Sequence, residues 1–419
     1  MRGGPAVRCS GTLGERQFTM AQIPRLRPYS GPALLSYGFR PFFLLGSVYA
    51  GLEVLAWLPM FYGELSLTTA FSALDWHVHE MLFGYVAAVI AGFLLTAIPN
   101  WTGRLPLQGG PLLVLVLVWL AGRIAVALSA QIGWLAATLI DVAFLASMAA
   151  AVAREIVAGK NWRNLKVVAV LALLALTNLA FHIEAHLQGV ASYATRFGIG
   201  LVILLIMIVG GRIVPSFTRN WLVRQGPGRL PAPFDRFDTA CMALSAASLL
   251  LWAIQPDGRT TAAVLAAAGV ANAVRLSRWA GDRTAADRLV LILHVGFAFV
   301  PIGFLLGALA ATGSVAASSG IHAWTVGAIG TMTLAVMSRA TLGHTGRPLA
   351  ASTGLEAVYA LIVIAALARI AAALLPDWNT ALLHVAAFGW AAAFLGFAGL
   401  YAPLFCLPKR SSPQRTGGP

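Results

Sequence analysis

Twelve apolar runs, each long enough to cross a lipid bilayer, constrain this chain more than any other feature. They lie near residues 39–61, 75–98, 110–129, 133–157, 165–188, 192–215, 234–255, 259–280, 288–312, 319–342, 353–375 and 378–407. A helix of about 20 apolar residues spans the hydrocarbon core of a bilayer. Only 11% of the sequence is charged, whereas soluble domains carry about 25%. We therefore predict an all-α, polytopic membrane protein with twelve transmembrane helices.

The basic residues predict how these helices are oriented. The net charge is +14. If each connection takes the number of the span that it follows, the Lys and Arg residues concentrate in the first tail and in the even-numbered connections. The odd-numbered connections carry only Arg196 and Arg259. Because cytoplasmic loops are enriched in Lys and Arg, we predict that both termini lie in the cytoplasm. The same distribution explains the net charge without a nucleic-acid partner.

The two ends of the chain are predicted to be tails that flank one membrane domain. Residues 1–34 read as a basic, disordered cytoplasmic tail, residues 35–408 as the membrane domain, and residues 409–419 as a short cytoplasmic tail. Met20 is an alternative start of the protein.

Ionisable residues concentrate at the start of the second span, in the stretch DWHVHEMLFGYVAAVIAGFLLTAIPNWTGR that covers residues 75–104. Charged groups inside a membrane are costly, so they mark functional sites by default, and histidine is the commonest metal ligand. The predicted orientation places six of the eight histidines in the outer leaflet. They are His77, His79, His182, His186, His322 and His384.

The spacing of these histidines predicts which of them can share a site. His77 and His79 are two residues apart, which is about 200° around a helix, so they face different neighbours or one faces the headgroups. His182 and His186 are four apart and share one helix face. We expect His79, His182 and His322 to be metal or haem ligands. For His186 and His384 we favour a packing role.

Other ionisable residues are expected to support these ligands. Glu80 and Glu184 lie beside histidines in the sequence, where they orient an imidazole through its second nitrogen or relay protons. Arg123 and Arg369 lie inside spans, and their partners are either haem propionates or the membrane interface, reached by snorkelling.

Two histidines are predicted at the cytoplasmic end. His294 and His344 would form a second, inner metal site. Alternatively, His344 is an interface residue of the loop LGHTGRP.

An internal repeat is predicted from two similar strings. The 26 residues from His79 to Arg104 align with the 26 from His322 to Arg347, and both strings end in Thr-Gly-Arg. The segments WLAGRIAVAL and AALARIAAAL, around Arg123 and Arg369, extend the similarity to the third and eleventh spans. The sixth span fits the same frame. We predict three pseudo-repeats of four helices; chance similarity between apolar strings is the alternative.

Several kinds of chemistry are disfavoured by the motifs that the sequence lacks. It contains no Walker loop and no dinucleotide-binding Gly-rich turn, which disfavours ATP-driven transport by this chain alone. No CxxCH motif is present, so any haem is non-covalent. The three cysteines lie far apart and suggest neither a disulfide framework nor a thiolate site.

Long motifs in the chain resemble the NnrS family. They are GFRPFFLLG, WHVHEMLFGYVAAVIAGFLLTAIPNWTGR, GGRIVPSFTRN, LHVGFAF and HAWTVGAIGTMTLAVMSRATLGHTGR, within residues 35–405. The resemblance implies a bacterial inner-membrane protein that contains haem and copper and is associated with denitrification and relief of nitric oxide stress. It carries over the residues His77, His79, Glu80, His182, His294, His322 and His344.

The four-helix period also resembles the haem–copper oxidase core, which has twelve helices in three pseudo-repeats. Histidines on helices 2 and 10 of that core ligate haem, and His79 and His322 occupy corresponding helices here. The oxidase copper cluster on helices 6 and 7 is missing, which argues against a terminal oxidase.

These observations leave three hypotheses for function. The first is a haem- and copper-binding protein of the nitrosative stress response, with nitric oxide and an electron donor as partners; any enzymatic activity would be that of an oxidoreductase of nitric oxide or its metal adducts. The second is a transporter for a metal or metal complex. The third is an assembly or signalling partner without its own activity.

Overall fold

Twelve long apolar helices make up nearly all of the computed structural model, which describes residues 29–408. They confirm the predicted all-α, polytopic fold, and no strand occurs among the described residues. The helices are α1 Phe39–Phe61, α2 Ala73–Thr102, α3 Gly110–Ala127, α4 Trp134–Ala158, α5 Trp162–Gln188, α6 Ser192–Gln225, α7 Arg236–Ile254, α8 Arg259–Ser277, α9 Arg288–Ala311, α10 Ala317–Thr345, α11 Thr353–Leu374 and α12 Pro376–Cys406. The predicted tails and the alternative start Met20 lie outside the described residues, apart from residues 29–34.

One helix continues well beyond its predicted end. The sixth span was expected to end near Pro215, but α6 continues through this proline to Gln225. Proline is tolerated inside transmembrane helices because neighbouring groups satisfy the freed carbonyl. With 34 residues, α6 is about 51 Å long at 1.5 Å per residue, which exceeds the hydrocarbon thickness. Its last turns therefore extend past the apolar layer.

Helices α2 and α10 form the centre of the bundle. α2 packs against α1, α3, α4, α5 and α10, and α10 packs against α1, α6, α9, α11 and α12 as well. Of the most apolar window of α2, 83% is buried inside the protein, compared with 33% for α8. The stretch that concentrates ionisable residues is thus the least accessible helix of the fold.

The two central helices share two irregular features at matching positions. His79 is followed directly by a π-helical segment, Glu80–Val86, and His322 by another, Ala323–Gly330. Both helices end at a glycine in the left-handed conformation, with φ of 70° at Gly103 and 72° at Gly346, which residues with a Cβ adopt only at a cost. These matches agree with the repeat between α2 and α10, whereas three complete units remain a prediction.

Successive helices run in opposite directions, which brings their ends together. Contacts join the last turns of α1, α3 and α5 to the first turns of α2 and α4. We call this end, where His79 and His182 lie, the histidine end of the bundle.

Candidate metal centre

Three buried side chains from three helices meet at the histidine end. His79 of α2, Asp141 of α4 and His182 of α5 each offer one ligand atom, and these atoms all lie within 4.8 Å of one another. The Nε2 atoms of His79 and His182 lie 3.1 Å and 3.0 Å from the same carboxylate oxygen, Oδ2 of Asp141. Within residues 29–408, this is the one group of three or more His, Cys, Asp or Glu side chains arranged in this way.

Two separations within this group, those between Asp141 and each imidazole, suit the binding of a metal ion between the carboxylate and the histidines. Imidazole nitrogen and carboxylate oxygen bind first-row ions at about 2.0–2.2 Å. Two such ligands at angles of 90–109° are then about 2.9–3.5 Å apart, which covers both observed separations. The same separations also suit hydrogen bonds from a protonated imidazole. The arrangement can therefore hold a cation, either a metal ion or a proton.

Glu80 and Arg123 fix the orientation of this group. Oε1 of Glu80 lies 2.9 Å from Nδ1 of His79, so Nε2 is the ring atom directed at Asp141. The Arg123 guanidinium donates one hydrogen bond to Glu80, at 2.5 Å, and another to Asp141. The Tyr49 hydroxyl also donates to Glu80. A carboxylate that holds the second nitrogen of a histidine is the usual support of a metal-ligating imidazole.

Buried charge is not balanced within this network. The carboxylates of Glu80 and Asp141 are fully inaccessible, and the Arg123 side chain is 5% exposed. One guanidinium faces two carboxylates, so neutral imidazoles would leave one negative charge without compensation. An unpaired charge in a low-dielectric interior is strongly unfavourable. The site therefore favours an additional cation at His79 and His182.

Aromatic rings exclude water from the two imidazoles. The rings of Phe71, Phe83 and Phe181 each lie 5.2 Å from that of His79, measured between centroids. The remaining polar neighbour is Asn178, which donates to Oδ2 of Asp141 at 2.8 Å. An apolar shell of this kind controls solvent access and the local dielectric at a metal site.

A glycine makes room for the buried ion pair. A Cβ at Gly84 would lie 2.7 Å from Nη1 of Arg123 and 3.0 Å from Oε2 of Glu80. The Gly84 carbonyl, within the π-helical segment of α2, accepts a hydrogen bond from the Trp119 indole at 2.9 Å. Small residues allow side chains and helices to approach closely in membranes.

His77 and His322, also predicted as ligands, lie in different surroundings. Nδ1 of His77 is 2.8 Å from the buried carboxylate of Glu53, and its ring stacks on Trp57 at 4.3 Å. His322 is close enough to both His77 and Arg369 to interact with them electrostatically. The structure thus brings His79 and His182 together and leaves His322 out of their group. The predicted divergence of His77 and His79 is also seen.

The two histidines predicted at the opposite end have different neighbours. Nε2 of His294 is 2.8 Å from the Thr218 hydroxyl. The ring of His344 packs against Phe39 and Tyr37, at 5.6 and 6.2 Å between centroids. Their joint metal site remains a prediction.

Glu184 does not take the place expected for it. Its carboxylate accepts hydrogen bonds from the backbone N–H groups of Tyr193 and Ala194, at 2.8 Å each, and so caps the start of α6. Glu184 is two residues from His182 and from His186, so it points away from the face that both histidines share. Its expected role beside these imidazoles is therefore replaced by a structural one.

The two histidines expected to pack do stack on aromatic side chains. His186 lies against Trp134 at 4.1 Å, and His384 lies against Tyr62 at 5.5 Å.

Sequence reasoning missed Asp141 and Glu53. Each is a single acid in an apolar run, which is the signal that identifies an intramembrane functional residue. It also considered haem propionates or snorkelling for Arg123, whereas both terminal nitrogens bind protein carboxylates.

Comparison with known proteins places the chain in a family. A search of curated proteins found no match. The family model of the NnrS protein matches residues 33–409, which includes every helix described above and every residue of the candidate metal centre. The chain therefore belongs to the NnrS protein family.

Proposed function

We propose that this protein binds copper and haem in the bacterial inner membrane and acts in the nitric oxide and nitrosative stress response linked to denitrification. One observation carries the proposal: His79, Asp141 and His182 form a buried group whose charge calls for a cation. Membership of the NnrS family supports the assignment of copper, haem and the nitric oxide response to this protein.

Copper suits the donor set of this group. Imidazole is a good ligand for copper, and divalent copper binds nitrogen and oxygen sites more tightly than the other first-row ions. His79 and His182 would hold the ion through Nε2, and Asp141 through Oδ2. When bound, copper supplies one-electron chemistry and a position at which a small molecule such as nitric oxide binds.

The chain's own residues set the properties of that site. Arg123 holds the Asp141 carboxylate in place and offsets its charge, and Glu80 fixes the ring of His79. The phenylalanine rings keep bulk water from the imidazoles, which favours a small uncharged ligand over a hydrated ion. An electron donor is required for turnover, and an active protein would be an oxidoreductase of nitric oxide or its metal adducts.

Orientation follows from the distribution of basic residues. Arg and Lys are concentrated on the connections opposite to the histidine end, and by the positive-inside rule this distribution supports cytoplasmic termini. The metal centre would then lie in the outer leaflet.

Metal analysis and optical spectra of the purified protein test the proposal. We expect bound copper and a haem Soret band in the wild-type chain, and a loss of copper of at least about tenfold in Asp141→Asn, since disturbing such sites costs 10–100-fold in affinity. His384→Ala is the matched control, because His384 lies at the same end but stacks on Tyr62. A wild-type protein without copper and haem would refute the proposal and favour a protonated His79.

Cellular tests separate the proposed role from the alternatives. A strain that lacks the gene should be sensitive to nitric oxide, and the His182→Ala variant should fail to restore tolerance. Normal tolerance in that variant would contradict the role of this site. Metal uptake into proteoliposomes that is lost in His79→Ala would instead indicate a transporter.

A further inference from the structure

A second group of polar side chains at the histidine end has atoms without partners. Glu53 of α1 is fully buried, and its Oε1 contacts Nδ1 of His77 at 2.8 Å. Its other oxygen, Oε2, and the buried indole Nε1 of Trp57 have no hydrogen-bond partner among the described residues. Buried polar atoms without partners are rare and call for a ligand, a water or an ion.

Two imidazoles of this group are oriented in the way of metal ligands. His77 uses Nδ1 for the Glu53 carboxylate, and His322 uses Nδ1 for the Ser318 carbonyl at 2.6 Å. Metal-ligating histidines usually bind a carboxylate or a backbone carbonyl through the second ring nitrogen. In both residues, Nε2 makes no hydrogen bond within residues 29–408 and stays available.

A cation without an acid partner completes the group. Arg369 of α11 is near enough to His322 to act on it electrostatically, and α10 packs against α11 along this end. Within the described chain, no Asp or Glu lies within ion-pair distance of Arg369, in contrast to Arg123, which binds two. A half-buried guanidinium in this position favours an anionic ligand.

We infer that His77 and His322 would hold the haem iron through their Nε2 atoms and that Arg369 would bind one of the haem carboxylates. The inference rests on the proposed function, which includes haem, and it assigns haem and copper to separate sites. A bare metal cation would be repelled by Arg369, whereas haem presents iron to imidazoles and carboxylates to a guanidinium. The unpaired indole of Trp57 provides a further donor for such a carboxylate.

The assignment gives α2 a ligand for each cofactor. His77 contacts α1, and His79 contacts α4 and α5. Residues two apart diverge by about 200° around a helix, so one turn of α2 supplies both sites from opposite faces. We therefore expect the two cofactors to be lost independently when their own ligands are changed.

Spectra of the full-length purified protein test this separation. We expect a low-spin haem in the wild type, and in His77→Ala and His322→Ala a high-spin spectrum or at least a tenfold loss of haem. Copper content should stay at the wild-type level in both. His186→Ala, which removes a histidine stacked on Trp134, is the matched control and should leave both cofactors in place.

Chemical rescue and the redox potential keep the inference testable if these variants fold poorly. Added imidazole should restore the low-spin spectrum of His322→Gly. His322→Met should retain the haem at a raised midpoint potential, because an axial methionine raises it. Arg369→Gln should retain the haem at a lowered potential, since a nearby positive charge favours the reduced form.

Two outcomes separate this inference from the proposed function. A wild-type protein that contains haem, with a spectrum unchanged in both His77→Ala and His322→Ala, would overturn the inference alone. Loss of copper in place of haem in these variants would overturn it as well. A wild-type protein without either cofactor would overturn the proposed function itself.

Discussion

Replacing Arg123 by leucine should destabilise the protein by about 3–5 kcal/mol. The side chains of Glu80 and Asp141 are fully buried and Arg123 is 5% exposed, so water cannot compensate the two carboxylates left behind. Removal of one partner from a buried ion pair costs about 3–5 kcal/mol for this reason. The double variant Arg123→Leu/Glu80→Gln restores the net charge of the cluster and should recover part of the loss.

The free energy of unfolding in mixed detergent micelles, followed by circular dichroism, measures this effect. The matched control is Arg104→Leu, which breaks an ion pair with Glu155 in which the arginine is 45% exposed; exposed pairs contribute about 0–1 kcal/mol. A value for Arg123→Leu within about 1 kcal/mol of the control would refute the argument. It would show that the cluster is hydrated or that its carboxylates are protonated.

Three further predictions concern two glycines, one of them with a matched control, and one aspartate. Gly84→Ala places a Cβ 2.7 Å from the buried guanidinium and should cost about 1–3 kcal/mol of unfolding free energy, together with copper content. Gly346→Ala, at a φ of 72°, should cost about 1–2 kcal/mol, whereas Gly343→Ala, with open space around it, should be neutral or stabilising; equal effects would contradict the conformational argument. The hydrogen bond from Arg278 lowers the pKa of Asp235 from 3.8 to about 2, so its stabilising contribution is present above pH 3.8 and lost as the pH falls through 2. Asp235→Asn should remove that part of the pH dependence of unfolding, and an unchanged pH profile would disprove it.

The helices were predictable because membrane length and hydropathy are local properties of the sequence. The first span was predicted at 39–61 and is observed at Phe39–Phe61. The end of α6 was not predicted correctly, because proline usually ends helices in water but is tolerated inside transmembrane helices. The π-helical turns were also missed, since no residue type specifies them.

The residues that contact each histidine were harder to predict than the histidines themselves. The sequence marked His79 and His182, but the acid that joins them, Asp141, lies on a third helix whose rotation is set by packing. For the same reason, His322 was grouped with His79 although it lies near His77 and Arg369. Sequence spacing gives the angle between two side chains around one helix. Which residues of other helices these side chains contact is determined only by the packing of the whole bundle.

The π-helical turn after His79 sets the phase between the two halves of α2. Such a turn accommodates one residue more than a regular α-helix does. Deletion of a single residue within Glu80–Val86 would regularise the helix and rotate its first turns by about 100° against the rest. The part of α2 that follows the deletion would keep its packing, while His77 and His79, which precede it, would both turn away from their partners. The direction in which both imidazoles point therefore depends on the number of residues in Glu80–Val86 as much as on their identity.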